Sequence, residues 1–195
     1  ISLSLFAQNK KYFAKKKKII LVLANLFIPR REWGDRMQPE QFINYSKRNL
    51  LLLDKIDKKF KKELFVRPYH LKKDCLITNK FFKENYKFTY DNYYKNILES
   101  KLTICTYNST TFLECFVLNA PCVLFWDQKE WPLNENNKSR DDFLILKENN
   151  ILFDNSIELS EFINRNYEKI GDWWYGEKIQ KIINNFKNKY IYSEN

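Results

Sequence analysis

The stretch LTICTYNSTTFLECFVLNAPCVLFW, residues 102–126, decides the fold. Leu102 to Thr106 is a β-rich run. Asn108, Ser109, Thr110 and Thr111 are residue types that favour the start of a helix. Phe112 to Leu118 reads as an apolar helical segment interrupted by Glu114 and Cys115. Asn119-Ala120-Pro121 ends it, because Asn tolerates the left-handed conformation that closes a helix and proline stops its continuation. Cys122 to Trp126 reads as a buried strand. Strand, helix and strand form a βαβ unit, whose crossover requires parallel strands in an α/β sheet.

The polar residues of this unit fall where chemistry is expected. Ligands of an open parallel sheet bind outside the carboxyl ends of its strands, and Tyr107 to Thr111 lies there. It offers hydroxyls and the N–H groups of a helix N-terminus, which suit a phosphate. Glu114, one turn into the helix, has the wrong charge for phosphate but accepts well from two sugar hydroxyls. A structural reading stands beside each of these. Thr111-x-x-Glu114 fits a capping box, in which Glu114 bonds back to the Thr111 backbone, and the hydroxyl run fits a plain N-cap.

Outward from this unit the pattern repeats. Ile19 to Ala24 reads as the first strand, followed by a loop to Pro39 that carries Arg30 and Arg31. Gln41 to Lys62 has the stripe of one long helix. Glu63 to Pro68 is a second strand, with Arg67 and His70 just beyond its carboxyl end. Lys87 to Thr89 is a short strand, and Asp91 to Ser100 a helix with Asp91 as N-cap. After residue 126 come a helix over Asp141–Asn149, a strand over Ile151–Asp154 and a helix over Ser156–Tyr167. A final amphipathic helix covers Asp172–Tyr192. Alternating strands and helices define a doubly wound α/β class, with a Rossmann-like, mostly parallel sheet flanked by helices. Residues 1–18 read as a linker or the end of a preceding domain, and 19–195 as one Rossmann-like domain. Beginning at Ile1 within an amphipathic stretch, the chain reads as a piece of a longer protein.

The 195 residues are 44% hydrophobic and 17% aromatic, enough for a sizeable core, and the 3 Gly argue against low complexity. The net charge of +10 comes from dispersed Lys plus the run Lys15 to Lys18. That run reads as a solvated helix face or as a contact for anionic lipid. Without a recognised nucleic-acid motif or basic stripe, the charge does not point to nucleic acid. The 4 cysteines, Cys75, Cys105, Cys115 and Cys122, contain no C-x-x-C pair and the chain has 1 His, so no metal site is expected. They read as buried, reduced thiols of a cytosolic protein. Ile19 to Ile28 is too short to span a bilayer and reads as core.

The spacing of Glu114, Asn119 and Pro121 is similar to the E-x4-G-x-P pattern of the donor-binding, C-terminal domain of GT-B glycosyltransferases, with Asn119 in the place of Gly. Both residues tolerate a left-handed cap. More closely, the chain resembles the C-terminal half of transferases encoded in bacterial surface-polysaccharide and O-antigen gene clusters. The stretches that carry the likeness are LFIPRREWGDRMQPEQFINY, FVRPYH, TYNSTTFLECFVLNAPCVLFWD, ILFD and DWWYGEKIQKIINNFKNKY, within residues 19–192.

The resemblance implies a cytoplasmic enzyme, working at the inner membrane surface, that moves a sugar from a nucleotide-diphosphate sugar to a glycan or lipid-linked acceptor. It implies Glu114 on the nucleotide ribose. It also implies no metal or other cofactor, with positive groups and helix N-termini stabilising the leaving diphosphate. An N-terminal GT-B domain would complete the active site, and no catalytic residue is assigned here. The donor-binding candidates are Glu114, Ser109, Thr110, Thr111, His70, Arg67, Arg30 and Arg31. Trp126, Asp127 and Trp131 border the expected cleft, with packing their favoured role, and Trp173 and Trp174 read as interdomain packing. A polyol-phosphate transferase or sugar epimerase on the same fold, and a non-catalytic remnant or nucleic-acid-binding module, are the alternatives.

Overall fold

The computed structural model describes residues 16–23, 39–68, 82, 85–127 and 139–191. Within them, six strands form one sheet: β1 (Lys18–Val22), β2 (Leu64–Arg67), β3 (Lys87–Phe88), β4 (Ser100–Cys105), β5 (Cys122–Phe125) and β6 (Leu152–Phe153). Their order is β3-β2-β1-β4-β5-β6, and every neighbouring pair is parallel. This is the Rossmann-like α/β fold. The order reverses between β1 and β4, which opens a crevice at their carboxyl ends.

A parallel sheet must be covered on both faces, so its strands are apolar on both sides. Strand alternation divides the side chains. Ile19 and Leu21 of β1, Leu102 and Ile104 of β4 and Val123 and Phe125 of β5 lie in one core cluster. There they join Tyr45, Leu52 and Leu53 of α1 (Pro39–Lys55) and Leu159 and Ile163 of α6 (Ser156–Asn166). Cys105, Cys122 and Leu124 belong to the opposite cluster. It contains Ile97 of α3 (Tyr93–Glu99), Phe112, Cys115 and Phe116 of α4 (Thr110–Val117) and Phe143 and Leu146 of α5 (Ser139–Glu148). Ile179, Ile183 and Phe186 of α8 (Glu177–Tyr190) complete it.

The α4 helix ends as its sequence predicts. Asn119 adopts φ 48°, and the Ala120 N–H returns to the Cys115 carbonyl at 2.9 Å. That is the 6→1 bond of a Schellman closure. Asn150 closes α5 in the same way, at φ 58°, so among the described residues this glycine-poor chain uses Asn for its left-handed caps.

Two long helices are broken where a single one was expected. The stretch 41–62 divides into α1 and a short α2 (Lys58–Lys61). Asn164 of α6 is the cause. Its Oδ1 accepts from the Asp57 N–H at 2.9 Å and its Nδ2 donates to the Lys55 carbonyl at 3.0 Å, so a distant side chain supplies partners at the break. The C-terminal stretch divides into α7 (Ile170–Trp174) and α8. Gly176 between them passes so near the preceding turn that a Cβ would lie 3.2 Å from the Asp172 and Trp173 carbonyl oxygens.

One cap assignment also moves. Asn92, not Asp91, caps α3, accepting from the Lys95 N–H at 3.2 Å. Asn155 caps α6, accepting from Ile157 and Glu158. Among the described residues no helix is long and apolar enough to cross a membrane.

Candidate functional site

The two strand ends that flank the order reversal are clamped together. Thr106, directly after β4, donates its hydroxyl to the Val22 carbonyl of β1 at 2.6 Å, and the Tyr45 hydroxyl of α1 is hydrogen-bonded to the same Thr106 oxygen. All of these side chains are buried. The chain then turns through Tyr107 and Asn108 into α4, so the helix N-terminus opens at the edge of the crevice.

Of the four consecutive polar residues, Ser109 is the N-cap. It is extended (φ −148°, ψ 178°) and its Oγ accepts from the Thr111 N–H at 3.3 Å. The other N–H groups of the first turn have no intrahelical acceptor and carry the positive end of the helix dipole. Asn108 and Thr110 are exposed, whereas Thr111 is buried.

With Ser109 as cap, the acid of a capping box would stand at Phe112, and Glu114 lies two positions further on. The capping-box reading therefore fails. Glu114 instead turns across to α3, where its Oε2 accepts from the Tyr93 hydroxyl. Glu114 is half-buried.

Arg67 is the last residue of β2 rather than a loop residue beyond it. Its side chain is only 8% exposed. Nη1 donates to the Asp91 carbonyl at 2.7 Å, and the guanidinium lies 5.4 Å from the centre of the Tyr93 ring. Burial lowers its pKa, while Tyr93 and Asp91 oppose that shift. Burial, and then the hydrogen bond to Glu114, push the Tyr93 phenol far above its ordinary value, so it remains a donor. One continuous chain of contacts therefore runs from Asp91 through Arg67 and Tyr93 to Glu114 at the carboxyl edge of the sheet. Tyr93 is the member that the sequence did not single out. It sits in a Tyr-Tyr pair with no motif around it, and its role depends on the packing of α3 beside α4.

The structure thus brings Arg67 and Glu114 together through Tyr93 and sets Ser109, Thr110 and Thr111 at the start of the helix that carries Glu114. Arg30, Arg31 and His70 lie outside the described residues, as does Trp131. Trp126 does not line a cleft. It is wholly buried, 6.0 Å from both Phe112 and Phe143 between ring centres. Trp174 is likewise interior to this unit rather than an interdomain contact, and Nε1 donates to Asn119 Oδ1 at 2.9 Å.

The described part of the lysine run, Lys16 to Lys18, stands at the opposite edge. Lys18 begins β1 at the amino end of the sheet and pairs with Glu99 at 3.5 Å. Lys16 beside it has a pKa lowered by burial and partly restored by Glu99.

Beneath α4, three of the four cysteines meet. Cys105 of β4, Cys122 of β5 and Cys115 of α4 are buried free thiols whose sulfur atoms all lie within 4.8 Å of one another. Sequence spacing concealed this cluster, because strand register rather than a C-x-x-C motif builds it. Hydrogen bonds from Cys105 and Cys122 favour the anion at Cys115, while burial pushes Cys122 up.

No curated protein and no solved structure matches the chain at a significant level. A family model described as LIC12162 family transferase matches residues 1–195, the full sequence, and the protein therefore belongs to that family of transferases.

Proposed function

We propose that this domain binds the nucleotide-sugar donor of a glycosyltransferase that acts on a bacterial surface glycan, an O-antigen or capsule. The observation that carries the reading is the fixed Glu114 carboxylate beside the exposed N-terminus of α4, at the carboxyl edge next to the order reversal. A helix N-terminus offers N–H donors and positive potential to a diphosphate, and a carboxylate one turn on accepts from sugar hydroxyls. Arg30 and Arg31 follow β1 in sequence, and His70 follows β2. In this reading Arg30 and Arg31 fork onto phosphate oxygens, and His70 and Arg67 contact the diphosphate or a sugar hydroxyl. The donor is a substrate, no resident cofactor is invoked, and an N-terminal domain supplies the acceptor site. Work on a lipid-linked acceptor places the enzyme at the cytoplasmic face of the membrane.

A thermal-shift and calorimetry screen against nucleoside mono- and diphosphates tests this. One diphosphate should stabilise the folded protein. Glu114→Ala should weaken its binding by about tenfold or more, the worth of a hydrogen bond to a charged group. A diphosphate that binds the variant as tightly as the wild type would remove Glu114 from the site. Product analysis of the active enzyme separates sugar transfer from polyol-phosphate transfer and epimerisation.

A further inference from the structure

A glutamate turns freely about three side-chain bonds unless something holds it. Here the Tyr93 hydroxyl holds one end, bonding Glu114 Oε2. The other oxygen, Oε1, takes no hydrogen bond from any described residue, and it is the one left for a ligand. Tyr93 is held in turn. Arg67 lies over its ring, the Tyr94 ring meets it edge-on at 5.3 Å, and Arg67 is anchored on the Asp91 carbonyl. The phenol keeps its proton and donates it to the carboxylate, because burial and the bond to Glu114 both oppose its ionisation.

We propose that Tyr93 is a positioning residue that presents Glu114 to the ligand through a single oxygen, so that the site recognises one ribose hydroxyl rather than the vicinal pair. This rests on the donor-binding reading above and adds a specificity to it. A free carboxylate can accept from both hydroxyls of a cis-diol with its two oxygens. A carboxylate with one oxygen engaged accepts strongly from one, and the second hydroxyl is left to water.

The test is calorimetry of the folded chain with the nucleoside diphosphate that binds it, and with the 2′-deoxy and 3′-deoxy forms of that nucleotide. The wild type should lose about tenfold in affinity for one deoxy form and less than about twofold for the other. Tyr93→Phe keeps the ring under Arg67 and deletes only the hydroxyl. It should keep the fold, bind the parent nucleotide several-fold more weakly, and penalise the two deoxy forms alike. A merely structural role for Tyr93 would lower all affinities together and leave the hydroxyl preference unchanged, and that result overturns the proposal. Equal penalties in the wild type overturn it too, whether or not the variant folds. If Glu114→Ala abolishes binding while Tyr93→Phe keeps the wild-type preference, the donor site stands and the positioning role falls. If no nucleoside diphosphate binds the wild type, both fall.

Discussion

Trp174 donates its indole N–H to the side-chain oxygen of Asn119, the residue that closes α4 in the left-handed conformation. The same oxygen accepts from Gln180 Nε2 at 3.0 Å, and the Gln180 amide also donates to the Trp174 carbonyl at 2.8 Å. Asn119 therefore does two jobs. It ends the helix that carries Glu114, and it ties that end to the break between α7 and α8.

This double role predicts the sign of one substitution. Asn119→Gly relieves a left-handed backbone strain of about 1 kcal/mol. It also removes the oxygen that the Trp174 indole and the Gln180 amide share, leaving the indole the longer bond to the Asn119 carbonyl at 3.3 Å and Gln180 its bond to the Trp174 carbonyl, a loss of about 1–3 kcal/mol for the two bonds. The variant should be less stable than the wild type by roughly 1 kcal/mol in urea unfolding, although glycine suits the φ angle better. A stabilised variant would show that the backbone term dominates.

Asn164 makes a second prediction. Its amide serves both Asp57 and Lys55 at the α1–α2 break. Asn164→Ala should cost about 1–2 kcal/mol, moderated by the exposure of the site. Amide hydrogen exchange at Asp57 should accelerate with it. Unchanged exchange at Asp57 would mean that water replaces the side chain at no cost.

The cysteine cluster predicts a reactivity pattern. Cys105, Cys115 and Cys122 are fully buried, so their modification by a bulky thiol reagent requires opening of the fold. In the native protein their labelling rate should follow the unfolding equilibrium and rise steeply with denaturant. Labelling in seconds without denaturant, located to these residues by mass spectrometry, would contradict the packing of α4 on the sheet.

Asp142 gives an acid-side pH dependence. Burial raises its carboxyl pKa, but hydrogen bonds from Lys189 (2.5 Å) and Tyr190 outweigh this and hold it below its ordinary value of 3.8. A carboxyl depressed by folding stabilises the folded state above its unfolded pKa, and that contribution disappears as pH falls through the folded value. The link between α5 and α8 should therefore weaken only under strong acidification. Asp142→Asn should flatten the acid limb of a stability-versus-pH curve, and an identical limb in the variant would exclude this pair as a contributor.

What was legible in the sequence was local. The βαβ unit with its buried second strand and the Asn119 closure rest on short-range pattern, and they stand as read. The α1 break does not announce itself, because the residue that makes it lies in α6. Ser109 was one of four adjacent candidates for the cap, and only the backbone at that position selects it. That selection also decides the fate of Glu114, since a cap two residues later would have made it a capping-box acid. Tyr93 was invisible for a similar reason: α3 and α4 are adjacent in space, and no spacing rule links a tyrosine in one to a carboxylate in the other.

The position of β1 in the sheet has a consequence for synthesis. This strand pairs Ile19 with Leu64 on one side and with Leu102 on the other. A ribosome adding about 5–20 residues per second makes Leu102 several seconds after Ile19. Throughout that interval the second edge of a strand that is apolar from Ile19 to Val22 has no mate in the nascent chain. Such an edge is a template for pairing with the wrong partner, so the centre of the finished sheet is the part of the newborn polypeptide that most needs the shelter of a chaperone.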